Sequence, residues 1–92
     1  MEDLELYRQK IDSIDKEITR LFEERMDVVL KIAEYKKENN ISVLHSSRED
    51  EVIEKAISNL KNKEYKDEIT SILKLVMELS KNLQNKKITN NK

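Results

Sequence analysis

Arg25 is the residue whose position asks for a chemical reason. Leu4, Ile11, Ile18 and Ile32 recur at steps of seven, and Arg25 takes the place in that row where another aliphatic residue belongs. A guanidinium on an apolar seam is costly to desolvate without an anion. Two readings follow. Arg25 either sets helix register through an internal ion pair, or forms one wall of an anion site. Lys36 lies eleven residues on, about 20° away around a helix and roughly 16 Å along it. Val29 and Ile32 fall between the two, so a pair of cations flanks an apolar stripe. That stripe suits a small anionic ligand with an apolar body.

Other polar residues also sit on apolar faces. Glu49 precedes Ile53 by four and Ala56 by seven, which puts it on the apolar side of its helix. It reads either as a carboxylate favoured by the helix N-terminus or as a ligand contact. Ser80 and Gln84 continue the stripe begun by Leu73 and Met77, at steps of four, three and four. They are either half-buried polar residues or neutral hydrogen-bonding groups aimed into a cavity. Arg8 stands seventeen residues before Arg25, about 25 Å away along the axis and roughly 100° around it. One helix cannot bring both arginines to one small ligand, so Arg8 is either a surface residue or reaches a site on a second chain. Of the 18 basic residues only four are arginines, and Arg8, Arg25 and Arg48 are three of them. The guanidinium fork matches carboxylates in a way that an ammonium does not.

Composition narrows the chemistry. Gly, Pro and Cys are all zero and His45 is the single histidine. Without glycine, phosphate-cradling loops and hairpin turns are disfavoured. Without cysteine there is no thiol nucleophile, thiolate metal site or disulfide. One histidine makes a His-ligated metal or a Ser-His triad improbable, and no metal or cofactor is expected. Charged residues make up 40% of the chain at a net charge of −1, which gives no general attraction to nucleic acid or an anionic membrane. No apolar run approaches the ~20 residues of a membrane span. The expectation is a soluble, cytoplasmic, all-α protein of one domain.

The elements that must position these residues follow from periodicity. The row through Leu4 and a second through Tyr7, Ile14, Leu21, Val28 and Tyr35 form a heptad pattern, unbroken before Asn39-Asn40. It predicts a first helix over about 4–38, roughly 50 Å long. A compact chain of this length has a radius of gyration of about 12 Å, so the helix outruns its own domain and its free seam calls for a second copy. Ser46 and Ser47, with Glu49 and Asp50 three residues on, fit the capping-box pattern. A second helix is expected over about 48–60 and a third over about 64–85. Ile69, Ile72, Leu73, Val76, Leu79 and Leu83 should face inward on the third. The polar tail, 86–92, is expected to fray.

Tyr7-Arg8-Gln9-Lys10-Ile11-Asp12, Leu21-Phe22-Glu23-Glu24-Arg25-Met26, Lys36, Ser47-Arg48-Glu49, Ser80 and Gln84 stand in an order and at separations that resemble the all-helical, type II chorismate mutases. The resemblance runs from about Leu4 to Gln84. It implies three helices per chain, one of them long, in an intertwined homodimer, and a monofunctional enzyme that rearranges chorismate to prephenate. It also implies roles. Arg25 grips one substrate carboxylate, and Arg8 of the other subunit grips the second. Lys36 contacts the ether oxygen and a carboxylate, and Gln84 meets the same ether oxygen from the opposite side. Glu49 holds the ring hydroxyl, Arg48 and Ser80 complete the pocket, and Val29, Ile32 and Met77 form its apolar wall. His45 departs from the family pattern by standing where some members have an aspartate near the ring hydroxyl. Lys81 departs too, falling beside the wall where an apolar residue is expected. Two alternatives remain: an isochorismate pyruvate lyase of the same fold, and a helical dimerisation module without catalysis. The module does not account for Arg25, Glu49 and Gln84 on apolar faces.

Overall fold

The computed structural model describes residues 2–43 and 46–90. All regular structure among them is helical: α1 over Glu2–Glu38, α2 over Ser46–Asn59, a 3₁₀ turn over Lys63–Tyr65 and α3 over Lys66–Asn90. The long dimension of the molecule, 56 Å, is the length of α1, since 37 residues rise about 1.5 Å each. Nothing in the α1 sequence breaks it, and its outer face carries supporting pairs. Arg20 bridges Glu17 at 3.0 Å and Glu24 at 3.3 Å.

The end of α1 is made without glycine. Asn40 takes a left-handed conformation with φ 56°, which asparagine tolerates better than most residues. The Ile41 N–H then donates to the Lys36 carbonyl at 2.8 Å and the Asn40 N–H to that of Lys37 at 3.4 Å. This double closure satisfies the last carbonyls of the helix. It also folds residues 41–43 back over the final turn, where Lys36 resides. At the next connection the Lys63 ammonium caps α2, donating to the carbonyls of Ile57 at 2.6 Å and Ser58 at 3.1 Å. Asn62 opens the 3₁₀ turn by accepting from the Glu64 N–H at 3.0 Å.

α3 is the element that packs against both others. Where it meets the last third of α1, Val29, Ala33 and Met77 are the buried apolar side chains among the described residues. α2 lays Val52, Ile53, Ala56 and Ile57, all half-buried, against α3. From Asp3 to Glu24, by contrast, every residue of α1 is exposed, including Leu4, Tyr7, Ile11, Ile14, Ile18, Leu21 and Phe22. The radius of gyration is 16.7 Å, well above the ~12 Å of a compact chain this long. No helix among the described residues is long and apolar enough to cross a membrane.

Three expectations need correction. α1 starts at Glu2 and α2 at Ser46, two residues before their expected starts, so Ser46 and Ser47 lie inside the helix. α3 runs to Asn90 rather than stopping at Asn85. Ile88 lies four residues past Gln84 and is half-buried, so the stripe continues, and no glycine or proline ends the helix. Ile72 and Leu79 are exposed rather than inward, because in one chain nothing covers that side of α3.

Candidate active site

The helices border an open cavity of about 280 Å³ lined by residues of all three. That is close to the lower end of the roughly 300–1,000 Å³ of small-molecule sites. α1 lines it with Arg25, Val28, Val29, Ile32 and Lys36, and the following segment adds Val43. α2 contributes Arg48, Glu49 and Val52, and α3 contributes Met77, Ser80, Lys81 and Gln84.

Arg25 enters from the middle of α1. Its Nη1 donates to Ser80 Oγ at 2.8 Å, and that hydroxyl donates in turn to the Val76 carbonyl at 2.7 Å. The single hydroxyl proton is therefore committed to the backbone, and an oxygen lone pair faces the guanidinium. Burial, and secondarily repulsion from Arg48, pushes the Arg25 guanidinium down from its ordinary value. An arginine still stays cationic under such pressure, so the same forces favour any anion that arrives. Lys36 Nζ donates to the Val43 carbonyl at 3.3 Å, a contact that exists because the α1 terminus turns the chain back. Among the described residues, neither Arg25 nor Lys36 meets a carboxylate.

Two carboxylates of α2 are paired with cations other than Arg25 and Lys36. Glu51 accepts from Arg48 at 2.6 Å and Lys55 at 3.4 Å on the exposed side of α2. Glu49 Oε2 forms a salt bridge with Lys81 Nζ at 3.0 Å, with each side chain about 30% exposed. Gln84 is 6% exposed, and its Oε1 is buried without a hydrogen-bond partner. An orphaned buried amide oxygen costs about 1–3 kcal/mol, and among the described residues nothing meets this one.

The structure thus gathers Arg25, Lys36, Arg48, Glu49, Ser80 and Gln84 around one cavity, with Val29, Ile32 and Met77 as apolar wall. Arg8 does not join them. It is exposed on α1 and outside the cavity lining, because the straight helix carries it about 25 Å from Arg25. His45 lies outside the described residues. Val28, Val43 and Val52 line the cavity without having been assigned to a site from the sequence. Val52 was legible as the residue three past Glu49, whereas Val43 depends on the backbone reversal at Asn40, which no periodicity reveals. The Glu49–Lys81 pair is likewise visible only once α2 and α3 are packed.

Such a molecule is a helical protein with a small, partly apolar cavity whose lining carries four cationic side chains, Arg25, Lys36, Arg48 and Lys81, and one carboxylate, Glu49. More narrowly, the chain belongs to the chorismate mutase type II family, whose match covers residues 7–85. It is similar to the bifunctional chorismate mutase/prephenate dehydratase of Buchnera aphidicola subsp. Acyrthosiphon pisum (strain APS), at 38% identity over 82 residues, 88% of this chain and 21% of that protein. The protein of the same description from Buchnera aphidicola subsp. Schizaphis graminum (strain Sg) is 39% identical over 90 residues, 96% of this chain and 23% of its own length. That of Aquifex aeolicus (strain VF5) is 40% identical over 57 residues, 62% of this chain and 16% of its own. The chain therefore spans about a fifth of the length of these curated relatives. No solved structure matches it significantly.

Proposed function

We propose that the chain catalyses the rearrangement of chorismate to prephenate, the isomerase step of phenylalanine and tyrosine biosynthesis. The observation that most supports this is the company Gln84 keeps. A buried neutral amide with an unsatisfied oxygen shares a cavity with two cations that no carboxylate among the described residues neutralises. The reaction is unimolecular and pericyclic. It needs no nucleophile and no proton transfer, only a dianion held in a folded conformer and stabilisation of the charge that grows on the ether oxygen as its C–O bond breaks. Arg25 takes one carboxylate and holds the reacting ends together. Lys36 and Gln84 face the ether oxygen from two sides. A half-turn of the Gln84 amide exchanges its oxygen for its N–H₂, and both donors then stand pre-positioned where charge develops. Glu49 receives the ring hydroxyl, and Arg48 and Ser80 complete the polar lining.

The active form is an intertwined homodimer in which a second copy covers the bare seam of α1 and brings its Arg8 to the site. Support comes from the run of exposed aliphatic and aromatic residues between Leu4 and Phe22, each worth about 1.5–3 kcal/mol when buried. The proposal covers one reaction. The family match over residues 7–85 is to the mutase alone, and dehydratase activity is not carried over from the relatives. A cytoplasmic setting, free of cofactor, metal, membrane and nucleic acid, completes the reading.

The test is the loss of chorismate absorbance on adding purified protein, with product identification and with isochorismate run in parallel. Formation of prephenate that disappears in Arg25→Ala establishes the reaction and the site together. Pyruvate release from isochorismate without prephenate formation transfers the site to the lyase. No turnover of either substrate by a folded assembly returns it to a non-catalytic module.

A further inference from the structure

Lys81 breaks the pattern of the cavity wall, and the structure shows where its charge goes. Its stem lies along the lining between Met77 and Gln84, while its ammonium crosses from α3 to α2 to meet Glu49 at 3.0 Å. A lysine can supply apolar wall with its methylenes and charge with its tip. Among the described residues, Glu49 is the one carboxylate that lines this cavity, and it shares the lining with Arg25 and Lys36. A carboxylate in a confined space with two uncompensated cations is attracted to both. If it collapsed onto either, it would occupy the place of the ligand's own anion. In the structure it does not. Arg25 rests on a serine hydroxyl, Lys36 on a backbone carbonyl, and Glu49 on Lys81.

We propose that Lys81 is a positioning residue that holds the Glu49 carboxylate on the α2–α3 wall, away from Arg25 and Lys36. Those two cations then stay open to a dianionic substrate. The ammonium meets Glu49 at Oε2, and a carboxylate has about four lone-pair sites, so the paired group can still accept from a ligand hydroxyl. This inference rests on the mutase reading of the site. It extends that reading by giving the departure at Lys81 a purpose, which is to keep an intramolecular anion from competing with substrate.

The experiment is a double-mutant cycle on the full chain with chorismate as substrate, comparing Lys81→Met, Glu49→Gln and the double variant, with Lys81→Arg as the conservative control. Circular dichroism checks folding of each. Lys81→Met should raise KM about fivefold, the size expected for a half-exposed pair, while kcat changes less than about twofold. Lys81→Arg should restore the wild-type KM. In the Glu49→Gln background, where no carboxylate is left to stray, Lys81→Met should leave KM unchanged. An equal rise in both backgrounds would overturn the inference and make Lys81 a direct contact of the substrate anion. A wild-type KM in Lys81→Met would overturn it while leaving the mutase reading intact. If Lys81→Met fails to fold, Lys81→Arg decides by itself: a KM well above wild type in a folded protein would contradict the positioning role. No turnover by the wild-type chain would remove both the reading and the inference built on it.

Discussion

α1 is one helix with two different fates. Its heptad rows run without interruption from Leu4 to Tyr35, yet the first two-thirds is bare and the last third is built. Up to Glu24 every described side chain is exposed. From Arg25 onward Val29 and Ala33, which stand beside those rows, enter the core against Met77 of α3, and Arg25, Ile32 and Lys36 line the cavity. The built third has a partner within the chain, and it tolerates a cation because Ser80 and the cavity receive it. The bare two-thirds has no such partner, and its row is aliphatic at Leu4, Ile11 and Ile18 where the built third has Arg25. Apolar periodicity therefore announces burial without saying by what. The lone charged residue in the row, Arg25, marks where the helix begins to line the cavity.

The contrast can be broken from either end. The largest effect is expected in the bare part, where Ile11→Asp combined with Ile18→Asp places two carboxylates on the seam. Analytical ultracentrifugation should then show loss of the assembled form and, with it, loss of turnover. Assembly that survives both changes would mean that the seam is not the interface. Next come the built residues. Arg25→Ala, Lys36→Ala or Gln84→Ala should each lower kcat/KM by on the order of 10²–10³, or about 3–4 kcal/mol of transition-state stabilisation, with assembly unchanged. Near-normal turnover in any of them would remove that residue from its role.

These expectations also measure how much was legible beforehand. The helix order, the length of α1, the odd placement of Arg25 and the polar extension of the α3 stripe all follow from spacing, since a 3.6-residue period dictates which side chains share a face. That Arg25, Lys36, Glu49, Ser80 and Gln84 meet in one cavity could not be read from periodicity, because it depends on how three helices pack. The end of α1 was marked by Asn39-Asn40, but the left-handed turn at Asn40 that sends Val43 back over Lys36 is a backbone event with no periodic signature. The reach of α3 to Asn90 was missed because a polar tail looks like a fraying one, although Ile88 keeps the row. Ile72 and Leu79 are exposed because neither α1 nor α2 covers that side of α3, and a 3.6-residue pattern does not say which apolar face finds a cover.

Smaller effects sharpen the comparison. Arg25→Leu makes the built third resemble the bare two-thirds. It should raise the unfolding temperature by a few degrees, on the scale of about 1 kcal/mol for a domain this size, while abolishing turnover. A Leu variant that keeps its activity would favour the module over the enzyme. Turnover should stay flat from about pH 6 to about pH 9, because Gln84 has no proton to lose and a guanidinium, even one lowered by burial and by Arg48, stays charged throughout. A steep loss above about pH 6 would contradict the neutral amide of Gln84 as an ether-oxygen contact and put an acidic group in its place. The smallest effect belongs to Glu51, whose carboxyl is held below its ordinary value by Lys55 and Arg48. A depressed folded-state value stabilises the fold above the unfolded value, about 4.3 for glutamate, and that contribution is lost as pH falls through the folded one. Glu51→Gln should therefore melt slightly lower than wild type at neutral pH and match it in strong acid.

The central claim is that the two parts of α1 make one site only across two chains, Arg25 from one and Arg8 from the other. Mixing tests it directly. Arg8→Ala and Arg25→Ala proteins, each inactive alone, are unfolded together, refolded and assayed with chorismate. Random pairing makes half the dimers mixed, and each mixed dimer carries one intact site and one doubly deficient one. Recovery of about a quarter of wild-type turnover is the expected result for such an isologous pair. Full activity of Arg8→Ala alone, or no recovery on mixing, would contradict the shared site.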